Sequence, residues 1–414
     1  MKIENDPYPG YDNLLDKSAI SWNPDANMWF VLGRDEVLKV GPNIKKFSVR
    51  KGYREKGEVI RAKLAGTPLE KMSDGLLRFS DPPDWDVRRW MHEAAVPYKK
   101  FEGPESRPQT LRDQFQKIVD AQFEKVKGEK YIDAIQELCF PLPCYTTMAV
   151  LGVPLDDYEK MREWTYNGVL IMFRMTTDWD FYSDESIARA INASIELEKY
   201  FGELLAKKRK EPSDDFISRL LHYQEHSTIK VTDYQLIQIT VNHLMGGLHE
   251  SSIALLADGI HLLISSGQYK DLVDDPTLIQ GAVEEILRFH PYAPINLRVA
   301  NEDVVVAGNT IKKGQFCLIN LACAQRDPRK WENARTFDIR REGDDNGDMS
   351  FGWGPHQCTG RPQIRMLANV FFETLTKTYP NLRIPEWPEN AYMRLQYQPR
   401  ADINLLESLP LALI

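Results

Sequence analysis

The chain has 414 residues, 43% hydrophobic and 27% charged, so it can bury a large core and is neither fibrous nor disordered. Its formal charge of −8 excludes a broad basic surface and argues against nucleic acid as the main partner. It has neither a cationic and apolar leader nor a run of about 18 apolar residues, which predicts an untargeted cytoplasmic protein that does not associate with membranes.

The predicted elements begin with a short strand at MWFVLG and are then mainly helical. Helical spacing of apolar residues is found in residues 111–128, 131–140, 156–173 and 185–210. Further strands are expected in residues 302–320 and in the carboxyl-terminal tail. Because no repeat, low-complexity tract or linker interrupts the chain, we expect one mainly α domain over residues 1–414, with a small β-rich lobe.

Residues 232–267 predict a continuous buried helix of about 50 Å. Thr232 and Gln235 form a capping box at its start, and Gly267 is a typical residue just after its end. GGLHESS, residues 246–252, interrupts the apolar pattern at the centre of this helix and indicates a groove, a bulge or a site. The same interruption is also typical of helices that pack through small residues, with Glu250 paired to a distant cation.

Glu285 and Arg288 lie three residues apart in a segment with a strong helical apolar pattern, PTLIQGAVEEILRFHP. Their side chains are therefore expected to meet on one turn. Taken alone, such a pair is usually a solvated surface contact that contributes little stability.

Five cysteines are scattered without a CxxC pair, which argues against a disulfide framework. Cys139, Cys144, Cys317 and Cys323 have apolar neighbours and are expected to be small buried hydrophobes. Cys358 differs because it lies in FGWGPHQCTG, directly before a predicted helix.

A helix start favours an anion, so this position would stabilise a thiolate at Cys358. Glycines at 352, 354 and 360 would let a flat, bulky ligand approach the loop. A zinc site formed by His356 and Cys358 is excluded because two further ligands at usable spacing are missing. A buried structural cysteine on a tight turn remains open on this stretch alone.

Together, these motifs resemble those of the cytochrome P450 family. FGWGPHQCTG matches the family's haem-binding loop FGxGxHxCxG at every fixed position, and Glu285–Arg288 resembles its ExxR pair. AQRDP and FDIRR resemble the ANRDP and FDIxR motifs, and DPPDWDVRRW resembles the start of the family's C helix. The matches follow family order from about residue 81 to residue 365, which covers most of the chain.

The resemblance implies the cytochrome P450 fold, with a long central helix over a b-type haem. Cys358 would be the axial thiolate and the metal ligand, which favours cleavage of the O–O bond. The haem propionates need cations or hydrogen-bond donors. The residues implied for cofactor binding are Trp85, Arg89, Arg298, Phe351, His356, Cys358 and Gly360. Glu285 and Arg288 are then expected to form a buried structural network, with Arg341, that supports the haem loop.

On the distal side, the resemblance implies that Glu250 and Ser251 are the catalytic acid and hydroxyl that supply protons. Family members usually carry [A/G]Gx[D/E]T there. Aligning the acid and hydroxyl places Leu248 where glycine is expected, and aligning the two glycines instead requires one added residue. We favour the first alignment because the acid and hydroxyl perform the chemistry. The departure leaves room for a peroxide-driven or otherwise atypical reaction.

The family's substrate-contact regions imply a pocket for an apolar or aromatic small molecule with one or two oxygens. Its implied residues are Leu77, Phe79, Phe173, His243, Gly246, Gly247 and Ile295. Several of them are equally typical of core packing.

The resemblance implies a monooxygenase that inserts one oxygen atom from O₂, with electrons from NAD(P)H. A separate ferredoxin-type donor is expected, since no flavin or iron–sulfur module fits in the chain. Lys99, Lys100, Arg361 and Arg365 would form its docking patch, or are ordinary solvated charges. The protein is expected to be a monomer. The alternatives are a peroxide-driven haem-thiolate oxidase and, in another class, a non-catalytic haem-binding sensor.

Overall fold

The computed structural model describes most of the chain in two compact units. The described residues are 6–51, 62–77, 80–96, 107–173, 183–246, 250–342, 348–385 and 406–413. The first unit comprises Met1–Ser48, Phe115–Pro143 and Glu250–Ile414, and the second comprises Val49–Gln114 and Cys144–His249.

The strands of the described residues all belong to the first unit. They are β1 (Ile20–Asn23), β2 (Met28–Val31), β3 (Phe47–Ser48), β4 (Tyr131–Asp133), β5 (Ile295–Ala300), β6 (Val304–Val306), β7 (Asn309–Ile311), β8 (Phe316–Asn320) and β9 (Pro410–Ala412). Five of them form one sheet in the order β1-β2-β8-β5-β3, in which β2 and β8 are parallel and the other pairs are antiparallel. β4 pairs with β9, and β6 pairs with β7.

Helices make up most of the rest of the described chain. They are α1 (Tyr8–Lys17), α2 (Arg34–Val40), α3 (Pro68–Asp74), α4 (Asp84–Ala95), α5 (Arg107–Lys125), α6 (Pro141–Leu151), α7 (Tyr158–Phe173), α8 (Asp184–Lys210), α9 (Phe216–His226), α10 (Asp233–Gly246), α11 (Glu250–Ser265), α12 (Tyr269–Asp274), α13 (Ile279–Phe289), α14 (Leu321–Gln325) and α15 (Arg361–Thr378). No helix of the described residues is long and apolar enough to cross a membrane.

The core of the first unit lies where the five-stranded sheet meets α2. Val31, Phe47 and Ile319 come from three strands, and Val37 and Val40 come from α2; all are at most 2% exposed. The apolar residues of the short strands are therefore buried against a helix. β5 lies between β8 and β3 of this sheet, so the same core holds it in position.

Most of the predicted elements are confirmed, and one is wrong at its start. Residues 131–140 were expected to be helical, but Tyr131–Asp133 form strand β4 and a short π-helix, Ile135–Cys139, follows. Tyr131 pairs with Ala412 and Asp133 with Pro410, so the partner strand comes from the far end of the chain. A pairing over that sequence distance overrides the local helical pattern.

The predicted long helix is described on both sides of its centre, as α10 and α11, and residues 247–249 lie outside the described part. The capping box is confirmed. The Thr232 N–H donates to Gln235 Oε1 at 2.9 Å, and the Gln235 N–H donates to Thr232 Oγ1 at 3.3 Å. Gly267 has a φ of +77°, as expected for a residue that ends a helix.

Candidate active site

The loop that carries Cys358 presents its sulfur to backbone N–H groups at the start of α15. The Cys358 N–H donates to the Phe351 carbonyl at 2.8 Å, which closes the loop. The Gly360 N–H lies 3.3 Å from Cys358 Sγ, and Gly360 is the residue that precedes α15. A sulfur that accepts an N–H at a helix start is stabilised as an anion. The predicted position of Cys358 before a helix is therefore confirmed.

Two glycines give the loop its shape. Gly352 and Gly354 have φ values of +74° and +76°, in the left-handed region that side chains disfavour. A Cβ on Gly354 would also lie 2.4 Å from Cβ of Pro42, whereas one on Gly352 would meet nothing closer than 3.7 Å. The turn before Cys358 therefore needs glycine for its backbone conformation and, at Gly354, for close approach as well.

The five cysteines divide as the sequence predicted. Cys139, Cys144, Cys317 and Cys323 are buried, while Cys358 is half-buried. Burial raises the pKa of Cys144, Cys317 and Cys323 to about 12, and it raises the pKa of Cys139 well above its usual value. These four thiols are held neutral, which leaves Cys358 as the cysteine suited to act as a thiolate.

Glu285 and Arg288 form a buried ion pair in α13, and neither side chain is exposed to solvent. Arg288 Nε and Nη2 donate to the two carboxylate oxygens of Glu285 at 2.7 and 2.8 Å. Arg341 Nε lies 3.2 Å from Glu285 Oε2, and the Asp338 N–H donates to Oε1 at 3.0 Å. The predicted buried network, including Arg341, is confirmed.

Hydrogen bonds join this network to the cysteine loop. Arg288 Nη1 donates to the Gln325 carbonyl at 2.9 Å, and Gln325 Nε2 donates to Ser350 Oγ at 3.3 Å. The Ser350 hydroxyl donates in turn to the Leu287 carbonyl in α13. Neither residue was predicted to have this role, although Gln325 lies within the AQRDP motif and Ser350 directly precedes FGWGPHQCTG. Their contacts hold the segment before Cys358 against α13.

Arg298 lies in β5, opposite Cys317 of β8, and is only 6% exposed. Its Nη1 donates to the Leu297 carbonyl at 2.8 Å, and its Nη2 donates to the Gly41 carbonyl at 3.3 Å. Backbone oxygens within the first unit therefore hold the guanidinium in place.

The first unit also contains other predicted site residues. Ser251 follows Glu250 in the first turn of α11 and is half-buried, and of Glu250 only the backbone is described. Ile295 begins β5 and is half-buried, as is His356 in a short 3₁₀ turn.

The second unit contains the remaining described candidates. Trp85 and Arg89 lie one turn apart in α4, and Arg89 Nε donates to Glu93 Oε1 at 2.5 Å. The Leu77 N–H donates to Asn242 Oδ1 at 3.1 Å, and Gly246 is the last residue of α10.

His243 is buried in α10 and makes specific contacts within the second unit. Its Nδ1 lies 2.9 Å from Nε2 of His92, and its ring stacks on Phe216 with centroids 4.6 Å apart. Burial, and then the neighbouring His243 and Arg89, hold the pKa of His92 well below its usual value. His92 is a third residue that was not predicted from the sequence, because its partner is 151 residues away.

The structure does not describe every predicted site residue. Phe79, Gly247, Lys99 and Lys100 lie outside the described residues, and of Phe173 only the backbone in α7 is described. Arg365, expected in a docking patch, donates from Nε and Nη2 to the two carboxylate oxygens of Glu284, at 2.6 and 2.8 Å.

Comparison with known proteins decides the family. A family model described as Cytochrome P450 matches residues 260–386. Cytochrome P450 CYP107DY1 of Priestia megaterium is 31% identical over 331 residues, which cover 80% of this chain and 75% of that protein. This chain belongs to the cytochrome P450 family.

Solved P450 structures have the same fold. The structure of P450BioI, described as a complex with an acyl carrier protein ligated to hexadec-9Z-enoic acid, covers 98% of both chains with a TM-score of 0.80 and 26% identity. CalO2 covers 99% of this chain and 96% of its own, with a TM-score of 0.85 and 24% identity. The mainly α P450 fold with a small β region, predicted from the sequence, is confirmed.

Membership of the family makes the protein a P450 monooxygenase, an oxidoreductase whose cofactor is haem b. The donor set around Cys358 fits that group. A thiol that is half-buried and accepts a backbone N–H is suited to bind iron as a thiolate, while the other four cysteines are buried and neutral.

Proposed function

We propose that this P450 inserts one oxygen atom from O₂ into an apolar or aromatic small molecule, with electrons from NAD(P)H through a separate ferredoxin and reductase. The observation that carries the proposal is the Cys358 thiol, which accepts the Gly360 N–H at the start of α15. A bound haem supplies oxygen activation, which the thiolate ligand promotes.

Cys358 would bind the haem iron as a thiolate, and Phe351 and Gly360 would be the flanking residues of the haem loop. Arg298, His356, Trp85 and Arg89 are assigned to the haem propionates, because carboxylates in an apolar pocket need charged or N–H donors. The position of Arg298 supports this assignment, since it is almost fully buried and carries a charge that needs an anionic or hydrogen-bonding partner there. Glu285 and Arg288 act as structural support for the loop.

Glu250 and Ser251 are proposed to supply protons on the oxygen-binding side of the cofactor. The Ser251 hydroxyl would hold a proton and pass it on, and the Glu250 carboxyl group would then supply the next proton to that hydroxyl. Both are ordinary acid–base roles. Both residues belong to the GGLHESS pattern and lie at the start of α11. Ser251→Ala should therefore lower the amount of product formed per electron consumed more than it lowers electron consumption itself.

The proposed substrate contacts are Leu77, Phe79, Phe173, His243, Gly246, Gly247 and Ile295. Most of these residues are apolar, which favours an apolar substrate, and His243 adds a polar point. The Nδ1 atom of His243 lies 2.9 Å from Nε2 of His92, so that side of the ring is already hydrogen-bonded within the second unit.

A ferredoxin-type donor is proposed to dock near Arg361. Arg365 is a weaker candidate, because Glu284 neutralises much of its charge. Arg361→Glu should weaken ferredoxin-driven turnover while leaving the spectral response to substrate unchanged. If ferredoxin-driven turnover is the same in both proteins, the docking assignment is wrong. A cytoplasmic location and a monomeric state remain predictions.

The first test is the carbon monoxide difference spectrum of the reduced protein, compared with that of Cys358→His. A thiolate-type Soret band in the wild type that moves to the ordinary haem position in the variant is expected. A non-thiolate band in the wild type would exclude Cys358 as the ligand.

Substrate class is tested by titrating the ferric protein with aromatic, terpenoid, fatty-acid and peptide-like compounds and following the low-spin to high-spin change. A carrier-linked fatty acyl chain belongs in the panel, because the similar P450BioI was solved with an acyl carrier protein. Turnover supported by peroxide alone, with none supported by ferredoxin, would favour the peroxide-driven alternative.

A further inference from the structure

The last turns of α9, in the second unit, present two histidines on one exposed face. His222 and His226 are four residues apart, and both are exposed. Their ring centroids are 4.1 Å apart with an interplanar angle of 31°. Residues at this spacing on a helix are neighbours, so the two imidazoles stand side by side.

One ring is already held in the tautomer that a metal ion requires. Nδ1 of His226 lies 2.7 Å from the His222 carbonyl oxygen. Since a carbonyl only accepts, Nδ1 donates in this contact, and in the neutral form of the ring the lone pair is on Nε2. Histidines that bind metal ions usually donate their other ring N–H to a carbonyl or carboxylate in this way.

The other described histidines are not equivalent to this pair. His92, His243, His261 and His290 are buried, and His356 lies in the cysteine loop. Within the described part of the chain, no set of three or more histidine, cysteine or acidic residues could hold a metal ion. The pair on α9 is therefore a two-ligand site that leaves the remaining coordination positions to water.

We propose that His222 and His226 form a surface site for a divalent late-transition-metal ion, of the class of Cu²⁺, Ni²⁺ and Zn²⁺. Imidazole suits these ions, whereas Mg²⁺ and Ca²⁺ prefer oxygen ligands. The ion would join the last two turns of α9 and stabilise that helix. α9 begins with Phe216, whose ring stacks on His243 in α10. An ion that stabilises α9 would therefore also raise the stability of the second unit.

The test is calorimetric titration of the untagged haem-loaded protein with Ni²⁺ at neutral pH. His222→Gln and His226→Gln are each expected to weaken binding by at least about tenfold, because the second imidazole binds at high effective concentration. Glu225→Gln, which removes the neighbouring exposed carboxylate and keeps both imidazoles, should bind as the wild type does.

A matched control separates geometry from the number of histidines. The double variant His222→Gln/Glu225→His keeps two exposed imidazoles, but at adjacent positions that do not face each other on a helix. It is expected to bind no better than His222→Gln alone. Binding equal to that of the wild type, or full-strength binding by His222→Gln/His226→Gln, would overturn the proposal.

Thermal unfolding gives an independent readout. Ni²⁺ should raise the unfolding midpoint of the wild type by mass action and leave that of His222→Gln/His226→Gln unchanged. A rise of equal size in both proteins would place the ion elsewhere and would also refute the site.

Discussion

Gly354 meets two separate constraints in the cysteine loop, a φ of +76° and a would-be Cβ 2.4 Å from Cβ of Pro42. Gly354→Ala should therefore displace the loop as well as strain it. The left-handed conformation alone costs about 1–2 kcal/mol for a residue with a side chain, and the overlap adds to this. We expect lower haem retention and a lower unfolding midpoint, measured from the Soret absorbance during heating.

Two matched variants isolate these contributions. Gly352→Ala has the same kind of φ but no close neighbour, so it should lose stability without losing as much haem. Gly10→Ala, in α1, meets nothing within 4 Å, so it should retain haem as the wild type does and be slightly more stable, because alanine favours a helix over glycine. Equal haem retention in Gly354→Ala and Gly10→Ala would contradict the proposed close approach.

The two ion pairs of α13 differ in burial, and this difference makes a second prediction. Arg288→Met would leave the Glu285 carboxylate buried with Arg341 as its remaining charged partner. The loss of one partner from a buried pair typically costs about 3–5 kcal/mol of unfolding free energy. Urea denaturation followed by far-ultraviolet circular dichroism would measure it.

Arg365→Met is the control, because its partner Glu284 is also in α13 but both side chains are partly exposed, at 22% and 26%. A pair of this kind contributes about 1 kcal/mol or less. Similar losses for the two variants would mean that burial does not determine the contribution of Arg288.

At the scale of single elements, α10 depends on the capping box that joins Thr232 and Gln235. Both reciprocal hydrogen bonds are present, at 2.9 and 3.3 Å. Thr232→Ala removes the acceptor for the Gln235 N–H and should cost about 0.5–2 kcal/mol of unfolding free energy. Thr232→Ser keeps a hydroxyl and should recover most of the loss in the same denaturation experiment. If Thr232→Ser is as unstable as Thr232→Ala, the hydroxyl is not the cap.

The features that the sequence predicted correctly depend on residues close together in the chain. Glu285 and Arg288 lie on one turn, Thr232 and Gln235 cap one helix, and Cys358 lies beside the helix that follows it. Local periodicity and capping rules act at this range, so these features could be predicted without a structure.

The features that were missed depend on distant partners. β4 pairs with a strand from the far end of the chain, His92 contacts His243 151 residues away, and Arg298 contacts Gly41 257 residues away. Nothing in the local pattern around these residues specifies such partners. For the same reason, the contacts of Ser350, the residue before the cysteine loop, with Gln325 and Leu287 could be found only in the folded chain.

Across the whole molecule, buried histidines should make stability depend on pH. Burial lowers the pKa of His261 to about 4, and burial followed by Arg326 lowers that of His290 to about 3. His92, in the second unit, is shifted in the same direction. Each folded-state pKa lies below the unfolded value of about 6.5, so the unfolded chain binds more protons in acid. The contribution of these histidines to the unfolding free energy should therefore be complete above about pH 6.5. It should be lost progressively as the pH decreases toward about 3.

His261 gives the clearest test of this pH dependence, because neither ring nitrogen has a hydrogen-bond partner within the described residues. His261→Leu removes the titrating group and leaves no hydrogen-bond donor unpaired, so it should be close to neutral at about pH 7. A shift to about 4 corresponds to about 2 kcal/mol between about pH 7 and about pH 5. Urea denaturation at the two pH values measures how much unfolding free energy each protein loses between them. The loss in His261→Leu should be smaller than the loss in the wild type by about that amount. His222→Gln, at an exposed position, controls for the loss of any histidine, and parallel behaviour of the two variants would assign the acid sensitivity to other groups.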